Sequence, residues 1–145
     1  VLRANLLSIL VGALVASLVS IVSVIGFSRL FCLSDVTMRS LVPKSVTTPI
    51  AVSLSDMLGG LSAVTAISVV FTGIVGAILL PGFLGALGVN DPVQMGLSIG
   101  TAAHAVGTSR AIELGETEGA MSGLAIGVAG LLTAVIVSVG SAIFA

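Results

Sequence analysis

Charged side chains are so scarce in this chain that long uncharged apolar stretches separate them. Of its 145 residues, 8% are charged and 57% are hydrophobic, and the mean hydropathy is +1.30. Soluble domains carry about 25% charged residues, whereas about 20 consecutive apolar residues can cross a bilayer as a helix. The sequence therefore predicts an all-α, polytopic integral membrane protein that contacts the lipid bilayer. It excludes a soluble enzyme, a disordered tail and a nucleic-acid binder.

Three uncharged stretches are long enough to form full transmembrane helices. They are Leu6–Phe27, Leu61–Leu80 and Gly119–Ala145. Pro81-Gly82 follows the second stretch, and such a pair is typical of a helix end. We therefore expect a single membrane domain over residues 1–145 with about three full spans.

Two further apolar segments are interrupted by helix-breaking residues. Ser45–Ser55 is short and carries Pro49, and Pro92–Ser109 carries several glycines. Non-helical backbone at membrane depth is tolerated only where it faces protein or a water-filled cavity. Both segments are predicted to be broken or re-entrant helices.

The two interrupted segments match each other at an offset of 60 residues. The identical pairs are Val46/Val106, Thr48/Thr108, Ala51/Ala111, Leu54/Leu114, Gly59/Gly119 and Ser62/Ser122. Acidic Asp56 corresponds to Glu116, and basic Lys44 corresponds to His104. Each copy contains a broken helix, an acidic turn with glycine and a full span. We interpret this as an inverted repeat, with a first span at 1–28, one copy at 34–83 and the other at 91–145.

The distribution of charge predicts the topology. Arg29, Arg39 and Lys44 follow the first span, whereas the loop at 81–90 has no basic residue and the turn at 113–118 is acidic. Because basic residues favour cytoplasmic loops, the basic region lies inside and the other two lie outside if both broken segments re-enter. If the broken segments cross instead, the loop at 81–90 would be cytoplasmic.

The first candidate binding motif is the segment from Pro43 to Pro49. It places one cation and three hydroxyls between two prolines: Lys44, Ser45, Thr47 and Thr48. A half-helix beginning near Ser45 would offer free N–H groups to an anion, and Lys44 would add a full charge. The alternative is that Lys44 reaches the cytoplasmic interface as a topology anchor.

The second candidate motif, from Gly100 to Arg110, contains the only histidine of the chain. His104 is either a structural residue or a ligand for substrate or a proton, because it lacks the partners of a metal site or a nucleophile. Gly107 is expected to adopt the unusual backbone angles of the break. Thr108 and Ser109 are then expected to cap the next helix and to present hydroxyls inward.

The remaining charges near these motifs lie at turns. Arg110 precedes Glu113 by three residues, which favours an ion pair over direct anion binding. Asp56 and Glu116 cap turns or face solvent, with coupling of protons or cations as the alternative. No phosphate loop, zinc spacing or nucleophile elbow is present, so we expect no enzyme activity, no cofactor and no metal.

Small residues recur every fourth position in the third predicted span, at Gly119, Gly123 and Gly127. This spacing lets helix backbones approach closely. Packing within the chain is the first interpretation, and a homo-oligomer interface is the alternative.

Several of these segments together resemble the LrgB/CidB family. They are PKSVTTPIA at 43–51, Gly59-Gly60, Asn90-Asp91-Pro92, GTAAHAVGTSRA at 100–111 and the segment 116–130. Members of the family are usually longer at the N-terminus by several spans. Together with a first residue of Val1, this implies that the chain is a fragment, the C-terminal part of a member.

The family resemblance implies two functions. Bacterial members are described as antiholin-like or holin-like proteins that modulate murein hydrolase export and autolysis with a small LrgA/CidA partner. Plastid relatives translocate glycolate and glycerate, and some bacterial members are linked to pyruvate uptake. The resemblance is to the bacterial pattern, which implies a bacterial plasma membrane, with a plastid envelope as the alternative.

Duplicated broken segments with cations favour transport, because a lesion-forming protein needs only apolar helices that oligomerise. We expect a transporter of small monocarboxylates whose two half-helices meet at the bilayer midplane. The expected lining residues are Lys44, Ser45, Thr47, Thr48, His104, Thr108 and Ser109, with Arg110, Asp56 and Glu116 as charge or coupling residues. The alternative is an antiholin-like regulator without its own substrate.

Overall fold

The computed structural model describes residues 2–144, and the side chains of residues 5–141. Within this range the chain forms six α-helices and no strand. The helices are α1 (Leu2–Leu30), α2 (Asp35–Leu41), α3 (Thr48–Leu58), α4 (Ser62–Ala86), α5 (Pro92–Leu114) and α6 (Glu116–Phe144). Helices α1, α4 and α6 are long and apolar enough to cross a membrane. The predicted all-α class with three spans is confirmed, although Ala145 lies outside the described residues.

The second span is longer than the sequence predicts, because α4 continues through Pro81 to Ala86. The expectation that Pro81-Gly82 ends the helix was therefore wrong. A proline inside a helix removes one backbone hydrogen bond, whereas ending the helix leaves several polar groups without partners in an apolar environment. Continuing the helix therefore costs fewer backbone hydrogen bonds than ending it.

Helices α1 and α6 run parallel to each other. Thr133 Oγ1 donates a hydrogen bond to Ser17 Oγ at 3.1 Å, and Val24, further along α1, shares a buried cluster with Val137, further along α6. The same cluster contains Leu58 at the end of α3. The C-terminal ends of α1, α3 and α6 therefore lie at the same end of the bundle, which we call the Gly59 end.

The regularly spaced glycines of α6 do not share one environment. Gly119 is buried, and a Cβ there would lie 2.7 Å from the Ile112 side chain. Gly123 and Gly127 are exposed, and a Cβ on either would meet nothing within 4 Å. Only the first of the three glycines therefore packs within the described part of the chain.

The first half of α5 runs parallel to the beginning of α6. A Cβ on Gly96 would lie 2.9 Å from Glu118 Cα, and a Cβ on Gly100 would lie 2.8 Å from Ser122 Cα. Both helices advance by four residues between these two contacts. Glycine permits such a close approach of two backbones, which is a common way for helices to associate in membranes.

The second half of α5 runs in the opposite direction. Thr108 Oγ1 lies 2.7 Å from Ser122 Oγ, and Ile112, four residues later, packs against Gly119, which lies earlier in α6. The register therefore runs antiparallel here. α5 is a re-entrant hairpin that begins and ends at one end of the bundle, beside the turn at Gly115. We call this the Gly115 end.

The segment between α1 and α4 also reverses direction. The Thr65 hydroxyl oxygen lies 2.9 Å from the Ser40 carbonyl oxygen of α2 and 2.7 Å from Ser55 Oγ of α3. Between α2 and α3, Val46 reaches one turn deeper and packs with Val69 of α4. The chain thus enters from the Gly59 end and returns to it.

The two reversals approach each other from opposite ends of the bundle. We call residues 42–47 the first tip and residues 103–105 the second tip. The first tip reaches Val69, and the second reaches Gly73, one turn further along α4 and close to the midpoint of that helix. Both tips therefore lie deep between the long helices. The repeat boundaries at 34–83 and 91–145 stay predictions.

Candidate functional site

The first tip places a cation among hydroxyl groups. Lys44 is half-buried, and its Nζ donates to Ser45 Oγ at 3.4 Å. The Ser45 hydroxyl is also 2.6 Å from Ser20 Oγ of α1. An apolar cluster containing Val46 adjoins these groups, so the ammonium lies inside the helix bundle.

The half-helix after the first tip begins at Thr48, three residues later than the sequence analysis expected. Thr47 is the N-cap residue, but its side chain makes no capping hydrogen bond, and Pro49 occupies the first turn. Both threonines are half-buried. Pro49 has no N–H group that needs an acceptor, and its ring fixes a helical backbone angle, so the sequence permits a helix start at this half-buried position. The positive end of the helix dipole therefore lies at the first tip.

The break in α5 occurs at His104, whose backbone angles are φ 40° and ψ −134°. The expectation that Gly107 adopts the unusual conformation was wrong. Gly107 is helical, and a Cβ there would lie 3.1 Å from the Ile99 carbonyl oxygen in the first half of α5. Glycine is needed at 107 for the close approach of the two halves rather than for its backbone angles.

The His104 imidazole is enclosed by the second tip and α4. The residue is 2% exposed, and a Cβ on Gly73 would lie 2.8 Å from its Cε1 atom. The ring interacts with the main chain of Val69. Its Nε2 atom is buried and has no hydrogen-bond partner among the side chains and backbone that the structure describes. A buried polar atom without a partner is costly, which is typical of a place where a ligand or water binds.

The two tips bring Lys44 and His104 close enough for their charges to interact. The α5 half-helix that starts after His104 and helix α3 also both begin at the tips. One helix N-terminus at each tip, one ammonium and one imidazole therefore lie near one another beside α4. This arrangement is suited to an anion.

Thr108 and Ser109 diverge after the second tip. Thr108 Oγ1 donates to the His104 carbonyl at 2.9 Å and contacts the Ser122 hydroxyl, whereas exposed Ser109 donates to the Ala105 carbonyl at 3.4 Å. Neither hydroxyl caps a helix N-terminus, so that expectation was wrong. Thr108 stays beside the second tip, while Ser109 is exposed.

The remaining predicted charges lie at the ends of the bundle. Arg110 Nη1 donates to Glu113 Oε2 at 2.6 Å, which confirms the predicted ion pair. Asp56 accepts a hydrogen bond from the Ser62 hydroxyl across the α3–α4 turn, and Glu116 is exposed in the first turn of α6. The structure does not bring these three groups to the tips.

Two hydroxyls beside the tips are missing from the predicted set. Ser20 contacts Ser45, and Ser122 contacts Thr108. Ser122 belongs to the pairs matched at an offset of 60 residues, so the repeat could have pointed to it. Ser20 lies in an apolar span, and its contact depends on the position of α1 against the first tip.

The model of the LrgB-like family matches residues 1–143. The chain belongs to the LrgB-like family. Its curated relatives are longer than the chain: the matched region covers 56–59% of the length of the first three.

Three of these relatives illustrate the similarity. The uncharacterized protein YwbG of Bacillus subtilis (strain 168) is 35% identical over 133 residues, which is 92% of this chain and 59% of YwbG. The antiholin-like proteins LrgB of Bacillus mycoides (strain KBAB4) and Bacillus cereus (strain B4264) are each 36% identical over 129 residues, covering 89% of this chain and 56% of the relative. No solved structure gives a significant match.

Proposed function

We propose that this LrgB-like protein carries a small monocarboxylate of the glycolate, glycerate or pyruvate type across a membrane, without altering it chemically. The observation that carries the proposal is that two re-entrant tips from opposite ends reach adjacent turns of α4, with Lys44 and His104 close enough for their charges to interact. Paired discontinuous helices that enter from opposite ends are characteristic of transporters that alternate access around a central site.

The groups at the tips are matched to a carboxylate in charge and in hydrogen-bonding capacity. A carboxylate accepts hydrogen bonds from an ammonium, from free N–H groups and from hydroxyls. Lys44 provides the ammonium, the start of α3 provides N–H groups, and Ser45, Thr47, Thr48 and Thr108 provide hydroxyls. The His104 Nε2 atom would gain the partner that it lacks in the described structure.

The test is uptake of labelled glycolate or pyruvate by liposomes that contain the protein. We expect Lys44→Gln and His104→Gln to lower uptake at least about tenfold, since each removes an interaction worth about 1.5–3 kcal/mol when one partner is charged. Arg29→Gln is the matched control, because it removes an exposed cation at the end of α1. Equal uptake by the Lys44→Gln variant and the control would refute the assignment.

The sidedness proposed from charge can be measured separately. We propose that the Gly59 end faces the cytoplasm of a bacterium, because Arg29 and Arg39 lie there and the Gly115 end is acidic. Cys32 is exposed near the first of these ends. An impermeant thiol reagent should label Cys32 only from the cytoplasm, and Gly85→Cys in a Cys32→Ser background only from outside. The reverse pattern, or a plastid envelope location, would overturn this placement.

A second candidate function is regulation of murein hydrolase export and autolysis, together with a small LrgA/CidA-like membrane protein or as a homo-oligomer. The name of two relatives, "Antiholin-like protein LrgB", favours this regulatory function. Release of a trapped dye from liposomes, with no saturable uptake of carboxylate, would support a lesion-forming role. Saturable uptake without dye release would support the transporter.

A further inference from the structure

A cleft separate from the two tips opens between α4 and the second half of α5. Its volume is about 440 Å³, within the range of about 300–1,000 Å³ that is usual for ligand pockets. It is lined by Ala77, Ile78, Val106, Ser109, Arg110 and Glu113. Half of the lining residues are polar or charged, in a chain with few such residues.

Two neighbouring grooves on α4 provide a contrast. One, of about 400 Å³, is lined by Ala66, Ile67, Val70, Phe71 and Ile74, and the other, of about 680 Å³, runs from Val75 to Phe83 with an apolar lining. Grooves of this kind suit lipid chains. An ion pair facing hydrocarbon is costly, so the cleft that contains Arg110 and Glu113 is the one suited to water.

The polar cleft leads towards the second tip. Residues 106, 109, 110 and 113 follow the spacing of one helix face, so the lining extends from the Arg110–Glu113 pair inward to Val106. A Cβ on Gly73 would meet both the Val106 side chain, at 3.0 Å, and the His104 ring. Val106, which lines the cleft, therefore lies next to the buried imidazole.

We propose that this cleft is the vestibule through which the carboxylate enters from the Gly115 end. Arg110 is its first binding group, and Val106 is the barrier between the vestibule and His104. A guanidinium has five N–H donors, and the ion pair with Glu113 uses one at Nη1. This inference rests on the proposed transport function, because it names the route to the same site.

The test compares the labelling of two single cysteines in the Cys32→Ser background, in liposomes and with an impermeant sulfonate thiol reagent. Val106→Cys lies in the cleft, and Ile67→Cys lies in an apolar groove. Ile67 is the more exposed of the two, at 71% against 38% for Val106. We nevertheless expect Val106→Cys to react about tenfold faster, because a thiol in apolar surroundings ionises poorly. Glycolate or pyruvate should slow that reaction.

Equal or faster labelling of Ile67→Cys would overturn the vestibule, because it would show that the cleft holds no more water than the lipid-facing groove. Fast labelling of Val106→Cys without protection by substrate, in protein that transports, would also overturn it while leaving the transport function intact. Labelling without protection and without any uptake would instead refute the proposed function.

Kinetics test the part assigned to Arg110. Arg110→Gln should raise KM for uptake about tenfold with little change in kcat, as expected when a charge-assisted hydrogen bond that forms on entry is lost. Glu113→Gln is the comparison, since it releases the guanidinium and should not raise KM. An unchanged KM for Arg110→Gln would remove Arg110 from the route.

Discussion

Replacing Gly100 by alanine tests the packing that makes α5 a re-entrant hairpin. The new Cβ would lie 2.8 Å from Ser122 Cα and closer still to the Ser122 carbonyl oxygen, against an ordinary contact of at least 3.4 Å, so the two backbones would have to separate by more than about 0.6 Å. A gap of about 0.5–1 Å loses a quarter to a half of the dispersion energy of the atom pairs involved. Overpacking of this kind costs about 1–3 kcal/mol.

Gly123→Ala is the matched control, because it makes the same change in a helix where a Cβ meets nothing within 4 Å. Alanine in a helix is favoured over glycine by about 0.5–1 kcal/mol, so this variant should gain stability. Gly100 is also inside a helix, so this gain is common to both variants and cancels in their difference. We therefore expect them to differ by the overpacking cost alone, about 1–3 kcal/mol in the free energy of unfolding.

Unfolding by SDS titration in mixed micelles, followed by circular dichroism, measures this difference. If Gly100→Ala is as stable as Gly123→Ala, then α5 and α6 do not approach closely along the first half of α5. The parallel register, and with it the reversal of α5, would then be wrong.

Two further predictions concern the tips and their supports. Thr65→Val should lower the free energy of unfolding by about 1–3 kcal/mol in the same titration, because it leaves the buried Ser55 hydroxyl without its partner. An unchanged free energy of unfolding would show that this contact does not form. His104→Gly should be more stable than His104→Ala by about 1–3 kcal/mol, because a φ of 40° strains alanine but not glycine. Both variants should lose uptake. Equal stability would mean that the backbone at the second tip is not strained.

The composition was sufficient to predict the helical membrane class, and the offset of 60 residues located both interruptions. These predictions depend on local properties, namely the length of apolar stretches and the positions of proline and glycine. The boundary at Pro81 failed because the surroundings decide whether a proline ends a helix. The position of the break in α5 also depends on its surroundings. Gly107 lies where the two halves of α5 touch, and the reversal itself occurs at His104.

The candidate site was also predicted only in part from the sequence. Its cations and hydroxyls are visible as motifs, but Thr108 and Ser109 are adjacent in sequence and lie on different faces of one half-helix. The sequence by itself therefore determined that the protein belongs in a bilayer and which residues interrupt its helices, because hydropathy and backbone chemistry are local. Only the tertiary structure decided that Lys44 lies near His104 and that the imidazole Nε2 finds no partner among the described residues. Both facts depend on how α4 and α6 pack against two segments that enter from opposite ends.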